Sequence, residues 1–135
     1  MIGREKLLAV IAARGGSKRL PRKNVLMFAG KPLIAWSIEA GLQSRYVDRV
    51  IVSTDDEEIA EISRSHGAEV PFLRPLELSN DTASSTDVIR HSVKTLEANG
   101  DEFGYILNLQ PTSPLRTFRH IDEAATLMIQ KEANG

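Results

Sequence analysis

Residues 7–13, LLAVIAA, form an apolar run without alternation, the pattern of a strand covered on both faces of a parallel sheet. The run stops at Arg14. A helix follows from Lys31 and Pro32, with Leu33, Trp36, Ile38 and Leu42 on a broad apolar face and the proline near the first turn, where it is tolerated. Residues 47–54, VDRVIVST, read as a second strand. Asp55 and Asp56 then open a helix whose buried side is marked by Ile59 and Ile62 and whose end is marked by His66 and Gly67. Residues 68–71 are short enough for a minor strand, and the proline-rich, polar stretch 72–85 predicts an ordered loop across the sheet edge. A helix is expected over 86–99, with Val88, Ile89, Val93 and Leu96 roughly on one face and Gly100 as its stop. Residues 104–109, GYILNL, supply another strand, closed by Pro111 and Pro114. Thr117 can cap a final helix with Ile121, Ala124, Ala125 and Met128 inward.

Strands alternating with helices, without internal repeats, predict an α/β fold: a three-layer, Rossmann-like, mostly parallel open sheet. No linker divides the sequence, so residues 1–135 are expected to form a single α/β domain. A chain of 135 residues buries roughly two thirds of its unfolded surface, enough for a real core. The absence of cysteine excludes disulfides and thiolate chemistry and fits the cytoplasm without demanding it. No signal peptide is visible, because Arg4, Glu5 and Lys6 precede an apolar run of only seven residues, and no segment approaches a membrane span. Three histidines, His66, His91 and His120, are too scattered to read as a metal cluster and are expected at the surface or at helix ends.

Charge changes the picture at one place. Arg14, Lys18, Arg19, Arg22 and Lys23 put five cations within ten residues of a chain whose net charge is −1. Gly15 and Gly16 allow close approach to the main chain, and Pro21 stiffens the far side of the turn. Loops at the carboxyl ends of parallel strands are where open α/β sheets bind ligands, so a polyphosphate is the natural guest. An exposed ion pair nets only about 0–1 kcal/mol, so several cations must converge in a partly desolvated loop. The alternatives are a solvated basic loop or a nucleic-acid patch; the second is disfavoured because no aromatic residue interleaves the charges and the chain is not basic overall. The spacing does not fit a P-loop, since no glycine stands five residues before Gly16. Asp55 and Asp56 could ligate a hard cation at a strand end, but an aspartate between strand and helix is more often a cap. The loop 72–85 can offer hydroxyls and backbone groups to a base, although Ser84, Ser85 and Thr86 could equally be helix caps. Gln110, like Arg14, stands at a strand end and is expected to face the same cleft.

Three stretches carry a resemblance. Ala13-Arg14-Gly15-Gly16-Ser17-Lys18 through Pro21 and Lys23-Asn24, Leu73-Arg74-Pro75 through Asp81-Thr82-Ala83-Ser84-Ser85, and Leu109-Gln110-Pro111-Thr112-Ser113-Pro114-Leu115-Arg116 resemble, in order, the motifs of the acylneuraminate (sialic acid) cytidylyltransferases. The similarity spans about residues 5–130. It implies the nucleotide-diphospho-sugar transferase fold and an enzyme that couples CTP with a 2-keto sugar acid such as N-acetylneuraminate, using Mg²⁺, to give a CMP-sugar and pyrophosphate. By resemblance, Arg14 and Lys23 serve the triphosphate and the transition-state charge. Gly15, Ser17, Lys18 and Asn24 add phosphate and ribose contacts, Arg74, Ala83 and Ser85 surround cytosine, and Gln110 lies on the sugar-acid side. No protein ligand for Mg²⁺ is assigned, because the family's aspartate pair lies in a C-terminal part that this sequence lacks, along with a dimer arm and much of the sugar site. The expectation is therefore a chain that binds CTP but turns over poorly alone, with homodimers in full-length relatives and no membrane or nucleic-acid partner. The rival readings are a sister enzyme for 3-deoxy-manno-octulosonate, a non-catalytic CTP-binding fragment, and an assembly module pairing through its sheet edge.

Overall fold

The computed structural model describes residues 5–13, 27–74, 85–109 and 122, with the backbone alone at Phe28, Ser85 and Thr86. Strand β1 (Leu7–Ala12) is the middle of a three-stranded parallel sheet, flanked by β4 (Arg49–Ser53) and β5 (Tyr105–Leu109). A short antiparallel hairpin, β2 (Met27–Phe28) and β3 (Lys31–Pro32), leads into helix α1 (Leu33–Gln43). Helix α2 (Glu57–Ser65) follows β4, and α3 (Ser85–Ala98) precedes β5.

The uninterrupted apolar run of β1 has the cause expected for it. Ala9 and Ile11 face one layer, packing with Ile34 and Ile38 of α1 and Ile59 and Ala60 of α2. Leu8 and Val10 face the other, packing with Ile51 of β4 and Leu96 of α3. With a helix layer on each face, alternation would put polar groups into a core, and residues 7–11 are all buried. Three layers, a parallel sheet and alternating elements are thus as the sequence predicts.

Helix α2 is capped by Asp56, whose Oδ1 accepts the amides of Glu58 (2.9 Å) and Ile59 (3.0 Å). It ends at His66, and Gly67 takes φ +100°, the left-handed conformation that glycine adopts without penalty. Residues 69–73 run parallel to β4 through bridges at Ile51–Glu69 and Thr54–Leu73, so the minor strand appears as an edge segment. Helix α3 buries Val88 and Leu96 and packs Ile89 and Val93 against the core, the face that the periodicity predicts. The final helix predicted from Thr117 lies outside the described residues except at Asp122, whose carboxylate accepts the Ser44 hydroxyl and the Arg45 amide.

Two expectations need correction. In α1 the buried positions are Ile34, Ala35, Ser37, Ile38, Ala40 and Gly41, whereas Leu42 is 49% exposed and Leu33 and Trp36 are half-buried. The face is set by close approach at Gly41, where an added Cβ would stand 2.8 Å from Val50 Cγ2 and 3.5 Å from Leu109 Cδ1. Trp36 instead lies under the Lys31 ammonium, 4.1 Å from its ring. Pro32, with ψ 146°, is the cap residue just before the first turn, near which the sequence places it. The histidine expectation holds at the end of α2 but not at His91, which sits within α3 with its ring edge-on to Phe72.

At the amino end of the sheet, Arg49 ties three segments together. Its guanidinium makes two 2.8 Å hydrogen bonds to the Glu69 carboxylate and a 2.9 Å ion pair with Asp101, and it lies over Phe103. The hydrogen bonds to Glu69 raise its pKa above the usual arginine value, against burial and with help from Asp101. A pKa raised in the folded state gives stability that is present below the unfolded value and lost only as pH rises through the folded one. Arg49 therefore contributes evenly across neutral pH. Arg49→Ala is expected to lower stability by about 1–2 kcal/mol, between exposed and buried pairs, as a lower urea midpoint with unchanged slope.

Candidate functional site

The strand order β4-β1-β5 contains a reversal. The chain leaves β1 through α1 to reach β4 on one side, then returns through α3 to β5 on the other. The crevice beyond the carboxyl ends at such a reversal is where open α/β sheets receive ligands. Here it lies between Ala13 and Leu109, since Ile11 pairs with Leu109 and Ala13 follows β1 directly. These are the described residues that precede Arg14 and Gln110.

The same edge is built from the end of β4. The Ser53 carbonyl accepts the Ala13 amide at 2.9 Å and Arg74 Nη2 at 2.7 Å. The Thr54 carbonyl accepts the Arg74 amide at 2.8 Å, and Thr54 Oγ1 accepts the Asp56 amide at 3.2 Å. Ser53 and Thr54 are fully buried and Arg74 is 6% exposed. Ser53 Oγ is buried without a hydrogen-bond partner among the described residues, which leaves a hydroxyl at this edge whose bonding capacity is unused. A buried guanidinium is costly unless its donors are engaged; the Ser53 carbonyl engages one of them.

Of the residues singled out in the sequence, Arg74 is placed in full, at the carboxyl edge. Ser85 is the first residue of α3, described by its backbone. Arg14, Gly15, Ser17, Lys18, Lys23, Asn24, Ala83 and Gln110 lie outside the described residues. Ser53 and Thr54 were not singled out. The available signal was their position: they follow the apolar run 50–52 as Arg14 follows β1 and Gln110 follows β5.

A metal finds no matching donors among the described residues. They contain no group of three or more His, Asp or Glu side chains suited to one, and Asp56 is occupied as the cap of α2. Among the same residues no helix is long and apolar enough to cross a membrane.

Comparison with known proteins gives a consistent result. The model of the cytidylyltransferase family matches residues 8–134. The chain is 43% identical over 128 residues to the pseudaminic acid cytidylyltransferase of Campylobacter jejuni, covering 95% of this chain and 55% of that protein. It is 47% identical over 124 residues to the N-acylneuraminate cytidylyltransferase of Escherichia coli, covering 92% and 28%. The CMP-N,N'-diacetyllegionaminic acid synthase of Legionella pneumophila is 45% identical over 121 residues, covering 87% and 52%. Among solved structures, a CMP:2-keto-3-deoxy-manno-octonic acid synthetase complexed with CTP superposes with a TM-score of 0.76 at 31% identity, covering 95% of this chain and 49% of that one. The chain thus spans about half the length of these two bacterial cytidylyltransferases from Campylobacter and Legionella, and less of the third.

Proposed function

The chain belongs to the cytidylyltransferase family, and from that premise we propose that its protein couples CTP with N-acetylneuraminate or a related nonulosonate, forming a CMP-sugar and pyrophosphate. The observation that carries this reading is that the exits of β1 and β5 flank the crevice at the strand-order reversal, with Arg74 at the same carboxyl edge beside β4. Relatives named for pseudaminic, legionaminic and neuraminic acids support the nonulosonate class.

In the proposed reaction the anomeric hydroxyl of the sugar acid attacks the α-phosphorus of CTP. The oxygen–phosphorus bond forms as the bond to the β-phosphate breaks, pyrophosphate departs, and the hydroxyl proton passes to water. Such a step needs the charge of three phosphates screened and the reacting atoms held in line, so cations and backbone donors dominate. Arg14 and Lys23 are assigned that screening role, with Gly15, Ser17, Lys18 and Asn24 holding phosphates and ribose. By resemblance, Arg74, Ala83 and Ser85 are assigned to cytosine and Gln110 to the sugar acid. Magnesium belongs to this proposal by resemblance; the described residues fit no site for it, so no step is routed through it. The cytoplasm is the proposed compartment and a homodimer the proposed form of longer relatives.

A second reading, a sister enzyme for 3-deoxy-manno-octulosonate, is favoured by the structural likeness to the octonic acid synthetase. The primary test is calorimetry of the 135-residue chain with CTP, ATP and GTP. CTP is expected to bind at least about tenfold more tightly than either purine nucleotide, as one well-made set of base hydrogen bonds allows. Equal weak heats for all three would replace the proposal with a simple anion site.

A further inference from the structure

We propose that the outer edge of β5 is a self-association surface, and that its partner is β5 of a second copy of this chain, paired antiparallel about Leu107. Among the described residues β5 pairs with β1 alone, whereas β4, the other outer strand, also carries the bridges to residues 69–73. Burial follows the same division. Residues 7–11 of β1 and 50–53 of β4 are all buried, but in β5 only Leu109 is. Ile106 is 37% exposed although Leu8, its neighbour in β1, is fully buried. The cluster under α3 takes in Leu8, Val10, Ile51 and Leu96, and Ile106 lies at its margin.

A strand edge that faces water is ordinarily blunted by lysine, proline or a bulge. Tyr105–Leu109, YILNL, has no charge and no proline, and it pairs with β1 in unbroken register. What singles out a second copy is the match that this strand makes with itself. A two-fold axis through Leu107, perpendicular to the sheet, sets Leu107 opposite the partner's Leu107 and Ile106 opposite the partner's Asn108. Each face continues into the same face of the other copy. Ile106 and Asn108 share the α3 side with Leu8 and Val10, while Tyr105, Leu107 and Leu109 share the α1 side with Leu7, Ala9 and Ile11. An apolar pair then forms on each side of the sheet. Leu107 meets the partner's Leu107 directly, and Ile106 meets the partner's Ile106 on the diagonal, about 7–8 Å away and within reach of long side chains. No like charges come opposite one another, and the contact is isologous, so it closes at two copies.

The test is analytical ultracentrifugation of the 135-residue chain without nucleotide, so its outcome is separate from the proposed function. Wild type is expected to be a reversible dimer with a dissociation constant of about 1–100 μM, as a small interface gives. Ile106→Lys, which places a charge at the exposed position, is expected to weaken the dimer at least about tenfold, and Ile106→Val to stay within about threefold of wild type. The register is read by oxidative cross-linking, because the chain has no cysteine of its own. Leu107→Cys brings two thiols opposite each other at a Cα separation of about 4.5–5.5 Å, within disulfide range. Tyr105→Cys leaves them roughly 13 Å apart, four residues along the strand. A covalent dimer is therefore expected from the first and not from the second. A wild type that is monomeric throughout the range overturns the proposal and leaves this edge to a strand of another origin. A dimer that Ile106→Lys does not weaken, or equal cross-linking of the two cysteine variants, overturns it in favour of a different interface. Should Leu107→Cys fail to fold, the two Ile106 variants decide alone.

Discussion

Arg14→Ala is expected to weaken CTP binding by about 10- to 100-fold while leaving the fold intact. Hydrogen bonds to charged groups contribute about 1.5–3 kcal/mol, and about 1.4 kcal/mol is a factor of ten. Arg14 is the first residue after Ala13, whose amide is fixed to the Ser53 carbonyl at 2.9 Å, so the basic loop starts from a residue that the sheet holds. The ladder of β1 closes before it, which is why folding is expected to survive the substitution. The readout is a calorimetric CTP titration at two salt concentrations. Wild-type affinity should fall with salt more steeply than that of the variant, since one of the five cations of the basic loop is gone. A variant that binds CTP within twofold of wild type would remove Arg14 from the site.

Gly41→Val should lower stability by about 1–3 kcal/mol, the usual cost of forcing atoms into a packed core. The Cβ alone would stand 2.8 Å from Val50 Cγ2, and Leu109 Cδ1 waits at 3.5 Å. Both neighbours sit in strands, β4 and β5, with little room to retreat. Gly41→Ala makes both contacts with a single methyl but gains about 1 kcal/mol of helix propensity, and is expected to fall between wild type and the valine variant. The thermal midpoints of the two variants, compared with wild type, give the measurement. Equal midpoints for all three proteins would show that Val50 yields freely.

The sheet was legible because burial on both faces leaves a mark that only a covered strand carries: residues 7–11 are apolar without exception. The helices α2 and α3 were legible for complementary reasons, an aspartate cap at Asp56 and a spaced row from Val88 to Leu96. The face of α1 was misread because hydrophobicity favours Leu42 and Trp36, whereas the packing favours whatever lets α1 approach β4, and that is Gly41. Small residues give no signal in an apolar pattern. At the site, the side chains were named through resemblance, and Arg74 is the one placed in full. What the sequence concealed is the contribution of Ser53 and Thr54, because they act through backbone carbonyls that every residue possesses.

The central position of β1 has a consequence for how the protein is made. Its partners are separated from it very unequally in sequence: Val10 pairs with Ile51 on one side and with Asn108 on the other. At a ribosomal rate of about 5–20 residues per second, the second partner emerges roughly 5–20 s after the strand it completes. During that interval the most apolar segment of the nascent chain has one flank unsealed, and strands in that condition seek edges in other molecules. Yield in the cell is therefore expected to depend on holding Leu7–Ala12 out of circulation until Tyr105–Leu109 arrives.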